Sequence, residues 1–120
     1  MGLKILISDD SAFMRTILKN AINTTGQHTI LDGKDGQEAV DIYAKEKPDL
    51  AFMDIMMPNK TGLEALKEIK SKFPDAKIIM CTSVGQDKII QEAVDAGASD
   101  FVTKPFKPQD IVEIIKKYNG

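Results

Sequence analysis

Short apolar runs alternate along the chain with longer segments in which apolar residues recur every three or four positions. This alternation is typical of parallel strands joined by crossover helices. Five strands are predicted, of which the second is the least apolar: Leu3 to Ser8, Thr29 to Asp32, Asp49 to Asp54, Lys77 to Thr82 and Asp100 to Thr103. The pattern therefore predicts an α/β fold built from five βα units.

Each segment between the strands has one apolar face that can cover a sheet. The predicted faces are Phe13, Ile17 and Ala21; Val40 and Tyr43; Leu63, Leu66, Ile69 and Phe73; Ile89 and Ala93; and Ile111, Ile114 and Tyr118. Turns are predicted at Gly33, Lys47-Pro48, Pro74-Asp75 and Gly97. Gly97 suits a helix that ends in the left-handed conformation. Right-handed connections then give a doubly wound parallel sheet with the flavodoxin-like strand order 2-1-3-4-5.

In such a sheet, ligands bind in the crevice at the carboxyl ends of the strands where the order reverses, here strands 1 and 3. Polar residues stand at four predicted strand ends: Ser8, Asp9 and Asp10; Asp54; Thr82 and Ser83; and Thr103 and Lys104. Three carboxylates within about 5 Å would repel by roughly 3 kcal/mol per pair at an effective dielectric constant of 20. Proton uptake, Lys104 or a hard divalent cation could relieve this repulsion. Of these, we expect Mg²⁺ and Lys104 together to relieve the repulsion.

Such a metal can bridge a carboxylate and an incoming phosphoryl group while a carboxylate oxygen attacks phosphorus. We therefore expect Asp54 to be the nucleophile.

Four motifs, in chain order, resemble those of response-regulator receiver domains. They are Asp9-Asp10, the run from Met53 to Pro58, Thr82, and Lys104-Pro105-Phe106. Each is weak alone, because an Asp pair can simply cap a helix and a lone lysine is usually solvated. All four in this order at successive strand ends are specific for the receiver-domain family. The segments Ile7 to Arg15 and Gly97 to Phe106 resemble CheY-type stand-alone receivers in particular, and the resemblance covers the whole chain.

This resemblance implies that Asp54 accepts a phosphoryl group. It also implies that Asp10, Asp54 and the backbone carbonyl of Met56 bind Mg²⁺, with Asp9 helping directly or through water.

The same resemblance implies that Lys104 and Thr82 contact the phosphoryl oxygens and that Phe101 is the aromatic switch residue. Because Thr82 ends strand 4 and Phe101 lies on the neighbouring strand 5, we expect the two to form the switch together. The implied partners are a CheA-like histidine kinase, a target or adaptor in the motility apparatus, and a phosphatase. The target would bind the face formed by helix 4, strand 5 and helix 5. The chain would act as a monomeric switch that assists its own phosphorylation and dephosphorylation.

Composition narrows the partners and the compartment. A net charge of −2 and a pI near 5.4 provide no basic field for nucleic acid or anionic lipid. Cys81 is the single cysteine and lies in an apolar run, which favours a buried thiol in a reducing cytoplasm. No run of apolar residues approaches the ~20 that a membrane-spanning helix needs. With 120 residues, we expect one receiver domain over 1–120 and no output domain.

Other functions are compatible with parts of this pattern. Within the family these are a phosphorelay intermediate and a phosphate sink. An aspartyl-phosphate phosphatase would need a second acid two residues after the nucleophile, where this chain has Met56. A flavin carrier would need a glycine- or hydroxyl-rich phosphate loop after strand 1, where Asp9 and Asp10 stand. Both of these classes are disfavoured.

Overall fold

A computed structural model describes residues 2–83 and 85–119, which form five strands alternating with five helices. The elements are β1 (Lys4–Ser8), α1 (Ala12–Asn23), β2 (Thr29–Gly33), α2 (Gly36–Glu46), β3 (Leu50–Asp54), α3 (Gly62–Lys72), β4 (Ile78–Ser83), α4 (Asp87–Asp95), β5 (Asp100–Lys104) and α5 (Pro108–Asn119). Among these described residues, no helix is both long enough and apolar enough to cross a membrane.

The sheet confirms the predicted topology. Its strands pair in parallel in the order β2-β1-β3-β4-β5. The predicted strands agree with the observed ones to within one residue at each end. Gly33 was predicted to be a turn but is the last residue of β2, paired with Ser8. Because β1 and β3 are central neighbours with connections leaving in opposite directions, a crevice opens at their carboxyl ends.

Alternate residues of each strand point to opposite faces of the sheet, so the core has two halves. One half packs α2, α3 and α4 against residues such as Leu6 and Met53. The other packs α1 and α5 against residues such as Ile7 and Phe52. The large apolar side chains of the central strands β1, β3 and β4 are fully buried, and each such burial contributes about 1.5–3 kcal/mol. This two-sided packing holds the strand ends of the crevice in fixed positions.

The apolar face predicted for α1 was wrong at its first position. Phe13 is 73% exposed, whereas Leu18, Ala21 and Ile22 are the buried residues of the helix. Residues four positions apart on an α-helix are offset by about 40° around its axis. Phe13 therefore lies roughly 80° around the helix from Ala21. The sheet does not cover that side of the first turn.

Capping residues fix where the helices begin and end. The side chains of Ser11, Asp35 and Thr61 each accept a hydrogen bond from a backbone amide in the first turn of α1, α2 and α3. Lys47 ends α2 with a φ of 46°. Gly97 follows α4 with a φ of 102°, which confirms the predicted left-handed end. The loops that carry polar residues therefore leave the sheet at defined points.

Candidate functional site

Three carboxylates meet at the carboxyl ends of β1 and β3. One carboxylate oxygen from each of Asp9, Asp10 and Asp54 lies within 4.8 Å of the others. Asp9 is 2% exposed and Asp54 is 8% exposed, while Asp10 faces solvent. The predicted cluster therefore exists, with two members inside the protein and one at its mouth.

Asp54 is held by the contact between the end of β3 and the start of α3. The amide of Gly62 donates to the carbonyl oxygen of Ile55 at 2.8 Å. A Cβ atom on Gly62 would lie 1.9 Å from the carbonyl oxygen of Asp54, which is far inside van der Waals contact. Only glycine lets α3 approach this closely, so Gly62 fixes the backbone beneath the Asp54 side chain.

Lys104 brings one positive charge to two of these carboxylates. Its Nζ lies 3.0 Å from Asp9 Oδ2 and 3.2 Å from Asp54 Oδ1. Burial alone would lower the pKa of Lys104, but the hydrogen bond to Asp9 and the charges of Asp54 and Asp9 outweigh it and raise that pKa. Lys104 is therefore a stable cation at neutral pH.

The pKa of Asp54 is nevertheless raised, even though Lys104 lies beside it. Burial is the largest cause, and the negative charge of Asp9 adds to it. Lys104 opposes the shift only in part, because it shares its charge with Asp9. The carboxyl oxygens of Asp54 are consequently more basic than those of an ordinary aspartate.

The loop after Asp54 begins with Ile55 and Met56. The backbone amide of Met56 helps to lower the pKa of Asp54, against the larger raising effects of burial and of the Asp9 charge. The Met56 side chain is 57% exposed at the mouth of the site. Its backbone carbonyl stays a predicted metal ligand.

Thr82 lies near the end of β4, directly after Cys81, which pairs with Asp54 in the register. The residue is 1% exposed, and its Oγ1 is buried without a hydrogen-bond partner among the described residues. An unsatisfied buried hydroxyl costs about 1–3 kcal/mol, so such groups are rare in the interior of proteins. A ligand with oxygen atoms in the crevice would satisfy it.

Phe101 lies on the surface side of the neighbouring strand. It pairs with Met80 in the register of β4 and β5, and its side chain is 45% exposed. Phe101 and Thr82 line the same small apolar cavity, together with residues of α4. The two residues predicted to form a switch are thus brought together.

Two features of the site were not anticipated from the sequence. Ser11 caps α1 by accepting from the Met14 amide at 3.2 Å, so the capping role that the Asp pair could have had falls to Ser11. Arg15 donates from Nη1 to the carbonyl oxygen of Asp9. No pattern in the sequence marked Arg15, because an arginine on a helix is usually solvated.

Comparison with known proteins agrees with this geometry. Residues 5–116 match the family described as "Response regulator receiver domain". The chain is 46% identical over 117 residues to the chemotaxis protein CheY of Thermotoga maritima, covering 98% of both chains. It is 43% identical to the chemotaxis protein CheY of Bacillus subtilis, again covering 98% of both.

A solved structure shows the same fold at a comparable identity. The response regulator domain of Thermotoga maritima CheB superposes with a TM-score of 0.86 at 39% identity, covering 99% of this chain and 95% of that one. At this coverage, the match extends over nearly the whole of the sheet. The chain therefore belongs to the response-regulator receiver domain family and is similar to CheY chemotaxis proteins of two-component signalling.

Proposed function

We propose that this chain is a switch that accepts a phosphoryl group on Asp54 from a CheA-like histidine kinase and then binds a target of the motility apparatus. The observation that carries the proposal is the geometry around Asp54. A basic, buried carboxylate stands beside a lysine ammonium and two further carboxylates, and the adjacent strand β4 carries the buried Thr82 hydroxyl, which has no partner among the described residues. These are the groups that phosphoryl transfer to a carboxylate requires.

The donor set fits Mg²⁺. Three carboxylates and one lysine leave the cluster with an excess of two negative charges, and Mg²⁺ prefers oxygen ligands while keeping some of its water. Asp10, Asp54 and the Met56 carbonyl would hold the ion, with Asp9 assisting. When bound, the ion supplies charge neutralisation that lets an anionic phosphoryl group approach the anionic site. The exposed position of Asp10 allows water and a phosphodonor to reach this side of the cluster.

Three residues of the chain have separate roles in phosphoryl transfer. An Asp54 oxygen forms the new bond to phosphorus while the bond from phosphorus to the donor nitrogen or oxygen breaks, and the donor leaves with that electron pair. Lys104 stabilises the charge on the phosphoryl oxygens, and the Thr82 hydroxyl donates a hydrogen bond to one of them. Later hydrolysis of the acyl phosphate returns Asp54 to its carboxylate form.

The face formed by α4, β5 and α5 is the proposed target surface. Val94 and Phe101 are large apolar side chains that remain 49% and 45% exposed. A groove of about 480 Å³ runs along β5 and α5 and is crossed by an ion pair of 3.0 Å between Lys117 and Asp100. Because Phe101 also lines the cavity next to Thr82, a change at Thr82 would alter this surface.

The proposal extends to the setting of the protein. We place it in the cytoplasm as a monomer that does not bind nucleic acid or membrane, and whose signal a separate phosphatase can end. The exposed Met56 side chain offers no acid two residues after Asp54, which argues against an aspartyl-phosphate phosphatase.

A phosphotransfer assay tests this function. A chemotaxis histidine kinase carrying a labelled phosphoryl group is mixed with the wild-type chain and with Asp54→Asn. We expect label on the wild type alone, followed by release as inorganic phosphate and by binding to the motility target. Passage of the label to a second histidine-containing protein would instead support a phosphorelay. Label release without target binding would support a phosphate sink.

A further inference from the structure

Arg15 reaches from α1 to the backbone beneath the carboxylate cluster. Its Nη1 donates a hydrogen bond to the carbonyl oxygen of Asp9, and its side chain is only 16% exposed. Its Nε lies 3.4 Å from Asp32 Oδ2, an ion pair without hydrogen-bond geometry. The guanidinium group is therefore fixed between β2 and the end of β1.

The contacts of Asp9 show what this hydrogen bond controls. The amide of Asp9 donates to the Gly33 carbonyl, Oδ1 accepts from the Ser11 amide, and Oδ2 accepts from Lys104. The remaining polar atom of Asp9 is its carbonyl oxygen, and that atom belongs to the peptide group that joins Asp9 to Asp10. Rotation of this peptide would swing the Asp10 side chain. Among the described residues, Arg15 donates the hydrogen bond that this carbonyl oxygen accepts.

Asp32 fixes the other side of the guanidinium. Asp32 lies on the edge strand β2, where it pairs with Ile7 in the register, and its Oδ2 also forms an ion pair with Lys19 Nζ at 2.7 Å. Two neighbouring cations of α1 thus share Asp32, but only Arg15 reaches Asp9. A lysine at this position would offer a point charge in place of a planar fork that binds two partners at once.

We propose that Arg15 is a positioning residue for the divalent cation: it holds the Asp9–Asp10 peptide and thereby keeps the Asp10 carboxylate where it can bind the metal. This inference rests on the Mg²⁺ site of the proposed function. If Arg15 acted only through its charge, it would weaken Mg²⁺ binding, because a cation near the site repels a second cation. The sign of the mutational effect therefore separates positioning from electrostatics.

The test is Mg²⁺ binding measured by calorimetry on the wild type, Arg15→Ala, Arg15→Lys and Lys19→Ala. Loss of groups that orient metal ligands commonly weakens binding about 10- to 100-fold. We expect a weakening in this range for Arg15→Ala and a smaller loss in the same direction for Arg15→Lys, which keeps the charge. Lys19→Ala removes the same charge from Asp32 without touching Asp9, so it should bind Mg²⁺ as tightly as the wild type or more tightly.

A kinetic measurement separates weaker metal positioning from a general loss of structure. The rate of phosphorylation by acetyl phosphate is measured over a range of Mg²⁺ concentrations, and circular dichroism checks the fold. In both Arg15 variants the half-saturating Mg²⁺ concentration should rise, while the rate at saturating Mg²⁺ stays near that of the wild type. If Arg15→Ala does not fold, Arg15→Lys decides the question by the same two measurements.

Each outcome has one meaning. Wild-type affinity or tighter binding in the folded Arg15 variants, with Mg²⁺ binding intact in the wild type, overturns the positioning role and leaves the proposed function standing. Absence of Mg²⁺ binding in the wild type overturns the metal site and this inference with it. Equal weakening in Lys19→Ala also overturns the inference, because it would assign the effect to Asp32 and not to the Asp9–Asp10 peptide.

Discussion

Thr82 and Phe101 line the same small apolar cavity, Thr82 from within the sheet and Phe101 from its surface. The Thr82 hydroxyl is buried and unpaired among the described residues, and the Phe101 ring is 45% exposed. A phosphoryl oxygen that draws in the hydroxyl would free space in this cavity. The ring could then turn inward, which would change the surface presented by α4, β5 and α5.

We predict that Thr82→Val uncouples phosphorylation from target binding, whereas Thr82→Ser retains the coupling. A hydrogen bond to a charged oxygen is worth about 1.5–3 kcal/mol, enough to shift a two-state population by roughly ten- to a hundredfold. Target affinity is measured with and without beryllofluoride, which mimics the phosphoryl group. A full wild-type gain in affinity for Thr82→Val would exclude this switching route, even with Asp54 as the acceptor.

The same valine variant should also be more stable in the unphosphorylated form. Replacing an unpaired buried hydroxyl by a methyl group of similar shape removes a desolvation cost of about 1–3 kcal/mol. Thermal unfolding without Mg²⁺ should therefore show a higher midpoint for Thr82→Val than for the wild type. A lower midpoint would mean that the hydroxyl has a partner in solution.

A third prediction concerns Asp10 and Mg²⁺. Millimolar Mg²⁺ should raise the melting temperature of the wild type by mass action on the folded state, and Asp10→Ala should remove this dependence. Without metal, Asp10→Asn should unfold at a higher temperature than the wild type, since it relieves repulsion from Asp9 and Asp54. Asp75→Asn, at an exposed position away from the cluster, serves as the charge-matched control. An unchanged Mg²⁺ response in Asp10→Ala would remove Asp10 from the metal site.

The pH dependence of stability should carry a contribution from Cys81. Burial is the main reason that the pKa of this thiol rises to about 12. In the unfolded chain its pKa is about 8.5, so the neutral thiol favours the folded state fully below that pH, and the contribution is lost as pH rises towards the folded value. Between about pH 8 and pH 10, the wild type should lose more stability than Cys81→Ala. Equal losses would mean that the thiol is not buried in solution.

Most of the fold was predictable because its signals are local and mutually consistent. The apolar strands and the turn at Gly97 were each visible in the pattern of residues, and the strand order followed from the handedness of the crossovers. Phe13 was misplaced because a row of spaced apolar residues does not say which of them the sheet covers. That depends on how far α1 extends past the strand ends, which is a tertiary property.

The side chains of the site were likewise predictable in identity but not in their contacts. Strand-end positions brought Asp9, Asp54 and Lys104 together as expected. The sequence could not reveal how Lys104 divides its charge between two carboxylates. It also could not show that Arg15 turns inward, because an arginine on a helix has the same pattern whether its side chain is solvated or anchored.

The central claim is that Asp54 is the phosphoryl acceptor, and intact mass spectrometry with acetyl phosphate and Mg²⁺ tests it most directly. The wild type should gain the mass of one phosphoryl group, and fragmentation should place it on Asp54. Asp54→Asn should remain folded and gain no mass, because an amide oxygen is a poor nucleophile. Modification of Asp54→Asn at the rate of the wild type would contradict the claim and show that another residue is the acceptor.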